Sequence, residues 1–71
     1  MTKEQAERDM WDLDEVIWNC EKGIENLEAK IWLEDDPEKL ADLQQRQQAL
    51  KDRRDELNIK RDALWQIAYG G

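Results

Sequence analysis

Few residues in this 71-residue chain could do covalent chemistry, and none has the neighbours that such chemistry needs. Cys20 is the lone cysteine, and there is no histidine and no serine. Cys-His pairs and serine triads are therefore unavailable, and no glycine-rich phosphate loop is present. Asp9, Asp12, Asp14 and Glu15 cluster in sequence, but the Glu-x-x-His pattern of a di-iron bundle cannot be built without histidine. Glu34, Asp35 and Asp36 form an acid run that lacks the spaced ligands, glycine and closing glutamate of an EF-hand. One cysteine cannot close an intramolecular disulfide, and the missing histidines remove most zinc patterns. The expectation is a chain with no catalytic residues, no cofactor and no metal, in which Cys20 is a buried, inert thiol.

Two residue sets carry binding chemistry instead. Trp11, Trp18 and Trp32 recur at one heptad position, b, with Glu25 filling the missing step. Tryptophan is enriched among interface hot spots, and large exposed apolar stripes are uncommon on soluble monomers. Burial against a second copy is the first expectation, and a different protein partner the second. Glu4, Glu7, Asp14, Glu21, Glu25 and Glu28 form a second set, an acidic face that lysines or arginines of a target would meet.

Charge bounds the partners further. The net charge is −7, with 41% of residues charged, so direct nucleic-acid binding is disfavoured. Residues 1–36 hold 12 acids and 4 bases, whereas residues 37–71 hold 6 acids and 7 bases. Lys51, Arg53, Arg54, Lys60 and Arg61 do not read as a nucleic-acid patch, because Asp52, Asp55, Glu56 and Asp62 interleave with them. Glu56 and Lys60 are placed as an i,i+4 ion pair. No run approaches the roughly 20 apolar residues of a membrane span, and the start Met1-Thr2-Lys3-Glu4-Gln5 has no signal-like hydrophobic region. A soluble, cytoplasmic protein is expected.

The elements that must position these residues are two helices. Thr2 and Gln5 make a capping-box start. Ala6, Met10, Leu13, Ile17, Cys20, Ile24, Leu27 and Ile31 then alternate steps of four and three, a sustained heptad seam with Met10, Ile17, Ile24 and Ile31 at a. Pro37 ends this pattern, since proline disfavours helix at the residue before it and suits the first position of a new helix, with Asp36 as its N-cap. A second seam follows through Leu40, Leu43, Gln47, Leu50, Arg54, Leu57, Arg61, Leu64 and Ala68, and Gly70-Gly71 stops it.

The spacing predicts one helical-hairpin domain over 1–71, with helix 1 at about 3–33, a turn at 34–36 and helix 2 at about 37–69. Each arm is roughly 46 Å long. The short turn makes the arms antiparallel, placing Ile24 near Gln47, Ile17 near Arg54, Leu13 near Leu57 and Met10 near Arg61. Glu21 is brought toward Lys51 and Asp9 toward Lys60. Arg54 and Arg61 occupy a positions, where their stems lie along the seam while the guanidinium groups reach acids or water, or fix register. Trp65, Ile67 and Tyr69 are expected to close the end of the bundle near Trp11. Gly23 removes a side chain inside helix 1, at about 1 kcal/mol relative to alanine.

This architecture resembles that of the small plasmid RNA-binding Rop family, whose helical hairpins pair into an antiparallel four-helix bundle. The resemblance rests on Met1-Thr2-Lys3 and on topology, and no RNA-contact residue carries over. It implies an all-α fold in which the hairpin, a two-helix coiled coil, dimerises into a four-helix bundle. The function expected from the residues is a non-enzymatic protein-protein interaction module, a regulator or assembly factor, acting through the tryptophan-bearing face. The alternative is a small acidic phage-type inhibitor that mimics nucleic acid and blocks a nucleic-acid-binding protein such as a CRISPR effector.

Overall fold

The computed structural model describes residues 1–70, and Gly71, the second half of the expected glycine stop, lies outside the described residues. Helix α1 spans Lys3–Leu33 and helix α2 spans Pro37–Tyr69. They pack against each other along their length into a rod whose Cα atoms extend 51 × 14 × 13 Å.

Local chemistry sets each helix end. The Thr2 hydroxyl accepts from the backbone N–H of Gln5 at 3.2 Å, but the reciprocal bond of a full capping box is not made. At the turn, the Asp36 carboxylate accepts from the backbone N–H of Glu38 at 3.0 Å, and Glu34 accepts from that of Asp36 at 3.1 Å. With Pro37 at the first helical position, the three residues 34–36 reverse the chain, the Glu34 N–H also bonding the Ile31 carbonyl at 3.4 Å. At the far end the Gly70 N–H bonds the Gln66 carbonyl at 2.9 Å. A Cβ on Gly70 would sit 2.6 Å from that same carbonyl, so the close approach itself calls for glycine.

The seam is the one the heptads describe, because only every third or fourth side chain of each helix can face the other. Ile17, Cys20 and Leu57 form one buried cluster with Leu13 against it, and Ala6, Met10 and Ala68 form another with Leu64. Cys20 is buried and unpaired. Gly23 has a local reason: a Cβ there would lie 3.0 Å from Cδ1 of Leu50, so the missing side chain is the space Leu50 occupies.

The polar seam residues resolve in three ways. Gln47 is buried, and its amide donates to the Ile24 carbonyl at 3.3 Å and to the Glu28 carboxylate. Arg61 reaches Asp14 across the seam. Arg54 stays half-buried and turns to its neighbour Asp55 at 3.3 Å. The flanking pairs Glu21–Lys51, Asp9–Lys60 and Glu56–Lys60 are not ion pairs among the described residues.

Two helices make a thin core. By size scaling, a monomeric protein of 8.5 kDa exposes about 4,700 Å², whereas this chain exposes 5551 Å². Its radius of gyration is 16.0 Å, against about 11 Å for a compact chain of this length. The surplus, about 900 Å², is close to the roughly 800 Å² that each partner contributes to a standard interface. Among the described residues, no helix is long and apolar enough to cross a membrane.

Candidate interaction surface

A heptad places positions b and e on one flank of the seam and c and g on the other, and antiparallel helices put like flanks on the same side. The contacts obey this. Asp14 and Glu28, both at e of α1, reach Arg61 and Gln47. The hairpin therefore has two broad sides of distinct composition.

The first, here the aromatic side, collects b and e from both helices. It holds Trp11, Trp18 and Trp32 from α1, exposed at 73%, 57% and 81%, with Trp65 and Tyr69 from α2 at 44% and 50%. The Trp65 and Tyr69 rings meet at 5.7 Å and 54°, a tilted pair of the favoured kind. Lys3 lies over Tyr69 at 5.4 Å and Lys22 over Trp18 at 5.2 Å, so two of these rings already hold a cation on their faces.

All six acids of the acidic face, Glu4, Glu7, Asp14, Glu21, Glu25 and Glu28, occupy b and e of α1. The tryptophan stripe and the acidic face are thus one surface. With Asp55 and Asp62 from α2, eight acids stand there against Lys51, the two seam arginines, and Lys3 and Lys22 over the Tyr69 and Trp18 rings. The Arg61 guanidinium beside Asp14 holds its proton more tightly than usual, through hydrogen bonding first and charge attraction second. The Tyr69 phenol is also pushed above its ordinary value near 10, first by hydrogen bonding to Glu7, then by burial and by the Glu7 charge. Among the described residues, Glu4, Glu21 and Glu25 have no cation within 4 Å.

Positions c and g form the opposite, groove side. An open groove of about 500 Å³ runs between the helices there, floored by Leu13, Val16, Ala63 and Leu64 and rimmed by Asp9, Asp12 and Lys60. Sequence reasoning did not find it. The signal was available in the small residues Val16 and Ala63 at g and c.

The expected end cluster divides. Ile67, at g, belongs to the groove side, while Trp65 and Tyr69 belong to the aromatic side, so the three do not close the end together. Ala6, Met10, Leu64 and Ala68 fill it instead, because they hold the a and d positions while Trp65 and Tyr69 stand at e and b. Trp65 and Tyr69 consequently join the surface that bears Trp11. Compared with protein-family models, with curated proteins and with solved structures, the chain matches none.

Proposed function

We propose that this chain is a non-enzymatic protein-interaction module, a regulator or assembly factor, that binds through its aromatic side. In this reading two hairpins complete their thin cores as a dimeric four-helix bundle, and the finished surface meets another protein. The observation that carries it is the gathering of Trp11, Trp18, Trp32, Trp65 and Tyr69, all at least 44% exposed, on one broad side of the rod. Stable monomers rarely leave so much aromatic surface in water on one side. Rigid indoles bury large areas on binding at low conformational cost, which suits them to a contact surface.

Replacing Trp11, Trp18 and Trp32 together with serine tests this. Helicity is expected to persist, because none of the three is in the seam, while sedimentation shifts to the monomer and captured partners are lost. A triple variant that associates and captures as the parent does would remove the aromatic side from the function.

A second reading is favoured by the acids sharing that side. Proteins that grip single-stranded nucleic acid combine aromatic stacking with a cationic groove. A surface carrying both indoles and carboxylates offers such a groove both kinds of contact. The chain would then be an acidic inhibitor that occupies the nucleic-acid channel of its target. Binding should compete with single-stranded nucleic acid and weaken steeply with salt. Partners whose affinity ignores ionic strength would eliminate this reading.

A further inference from the structure

The aromatic side has a counterpart on the same molecule, and an assembly built from the two rests on the reading that the aromatic side is the binding surface while replacing its closed dimer with an open stack. Along the groove side, Lys39, Arg46, Arg53 and Lys60 recur every seven residues of α2. Among the described residues, Arg46 alone of the four has a carboxylate within 4 Å, that of Asp42 one turn earlier at 3.0 Å. Along the aromatic side, Glu7, Asp14, Glu21 and Glu28 recur every seven residues of α1. Each row is about 32 Å long. The rows share a period, carry opposite charge and face opposite ways.

We propose that this chain self-associates heterologously, the aromatic side of one copy seating on the groove side of the next. A half-turn about the axis normal to the two sides lays α1 of one copy over α2 of the second copy, the two running parallel. The common period then makes the fit all-or-none. Aligning Glu7 with Lys39 of the second copy also aligns Asp14 with Arg46, Glu21 with Arg53 and Glu28 with Lys60. The b row falls over the c row in the same alignment. Trp18 comes to Ala49, and Trp32 comes to Ala63 and Leu64 of the second copy, where small side chains and the groove floor leave room for an indole.

Pairing two aromatic sides instead would oppose their eight-acid surfaces, and like charges brought together at an interface are penalised. Stacking aromatic on groove replaces most of that conflict with four opposite-charge pairs, Glu25 over Glu56 of the second copy being a like-charge contact the alignment leaves, and it covers the surplus area of the single hairpin. It also leaves one unused side of each kind on every assembly, so growth continues, because a half-turn with a step along the same axis never closes a ring.

Sedimentation velocity on four samples of the full chain tests this: the parent, W18S/W32S, R46E/R53E, and an equimolar mixture of the two variants. All substituted positions lie outside the seam, and circular dichroism checks that helicity is kept. Where the charge reversal lowers it, R46Q/R53Q serves in its place. The parent is expected to grow in mass with concentration and to shift toward monomer at about 1 M salt, where the screening length is about 3 Å. Each variant alone should associate about tenfold more weakly or worse. Their mixture should recover association and stop at the dimer, because it retains one intact pair of opposite sides.

If R46E/R53E dimerises by itself as tightly as the parent, copies pair aromatic side to aromatic side; the stacking is then wrong and the aromatic surface stands. If W18S/W32S associates like the parent, both fail. A parent that stays monomeric at micromolar concentration removes the stacking and leaves the aromatic side to a different protein.

Discussion

The two broad sides of the hairpin are built from one seam and the same repeat, yet they differ in nearly every respect that matters for recognition. On the aromatic side, large indoles alternate with carboxylates, and the acids outnumber the bases by eight to five even when both seam arginines and the two lysines over the rings are counted. On the groove side, small residues leave an open channel and the g row of α2 is basic from Lys39 to Lys60. A heptad coiled coil of two helices needs only its a and d positions for folding. The remaining five positions of each repeat are free to specialise, and here they have done so by side and not by helix. A count per helix makes α1 acidic and α2 near neutral; a count per side shows an acidic aromatic surface opposite a weakly basic groove.

If folding resides in the seam and recognition in the sides, the largest effect should come from beneath both. Leu57 is 4% exposed and packs with Ile17 and Cys20. Leu57→Ala is expected to cost about 2–5 kcal/mol, enough to unfold a small hairpin, and a thermal melt followed by circular dichroism should show both sides lost together. A folded Leu57→Ala chain with the parent's melting temperature would break the division at its root.

A middling effect is expected where a side leans on the seam. Asp14→Asn removes the carboxylate that Arg61 reaches. Both side chains are substantially exposed, so solvent screening holds the loss to about 1 kcal/mol or less. The difference in melting temperature between parent and variant should shrink as salt is added. A loss that salt leaves untouched would mean that Arg61 acts through packing of its stem.

The smallest effect sharpens the description of the aromatic side alone. Glu7→Gln should lower the Tyr69 pKa toward its ordinary value near 10, read from the phenolate absorbance during an alkaline titration. The sign comes from linkage: a phenol whose pKa is raised on folding contributes stability that is complete below the unfolded value and is lost as pH climbs through the folded one. An unchanged titration would place Glu7 away from the ring.

Much of the fold was legible in the sequence, because few arrangements satisfy a heptad seam interrupted by Asp36-Pro37. The Gln47 amide on the Ile24 carbonyl is the register that a three-residue turn dictates. The ion pairs were less legible. Glu21–Lys51 and Asp9–Lys60 were expected from position alone, but long side chains on a solvated flank gain little from meeting, whereas Arg61 starts from the seam and reaches Asp14 across it. The junction of the two candidate surfaces was present in the heptad letters, since the tryptophans and acids all stand at b and e. Seeing that Trp65 and Tyr69 join them needs the handedness of an antiparallel pair, and the fate of Ile67 needs it equally.

The position of the indoles has a practical consequence for anyone who handles this protein. All four tryptophans lie outside the seam and each is at least 44% exposed in the hairpin. Unfolding therefore moves them from one watery environment to another, and their emission should change little across a melt that abolishes the helical signal. Covering them with a second molecule should shift the emission toward the blue. The chain's intrinsic fluorescence is in effect a reporter of company kept, silent about its own folding.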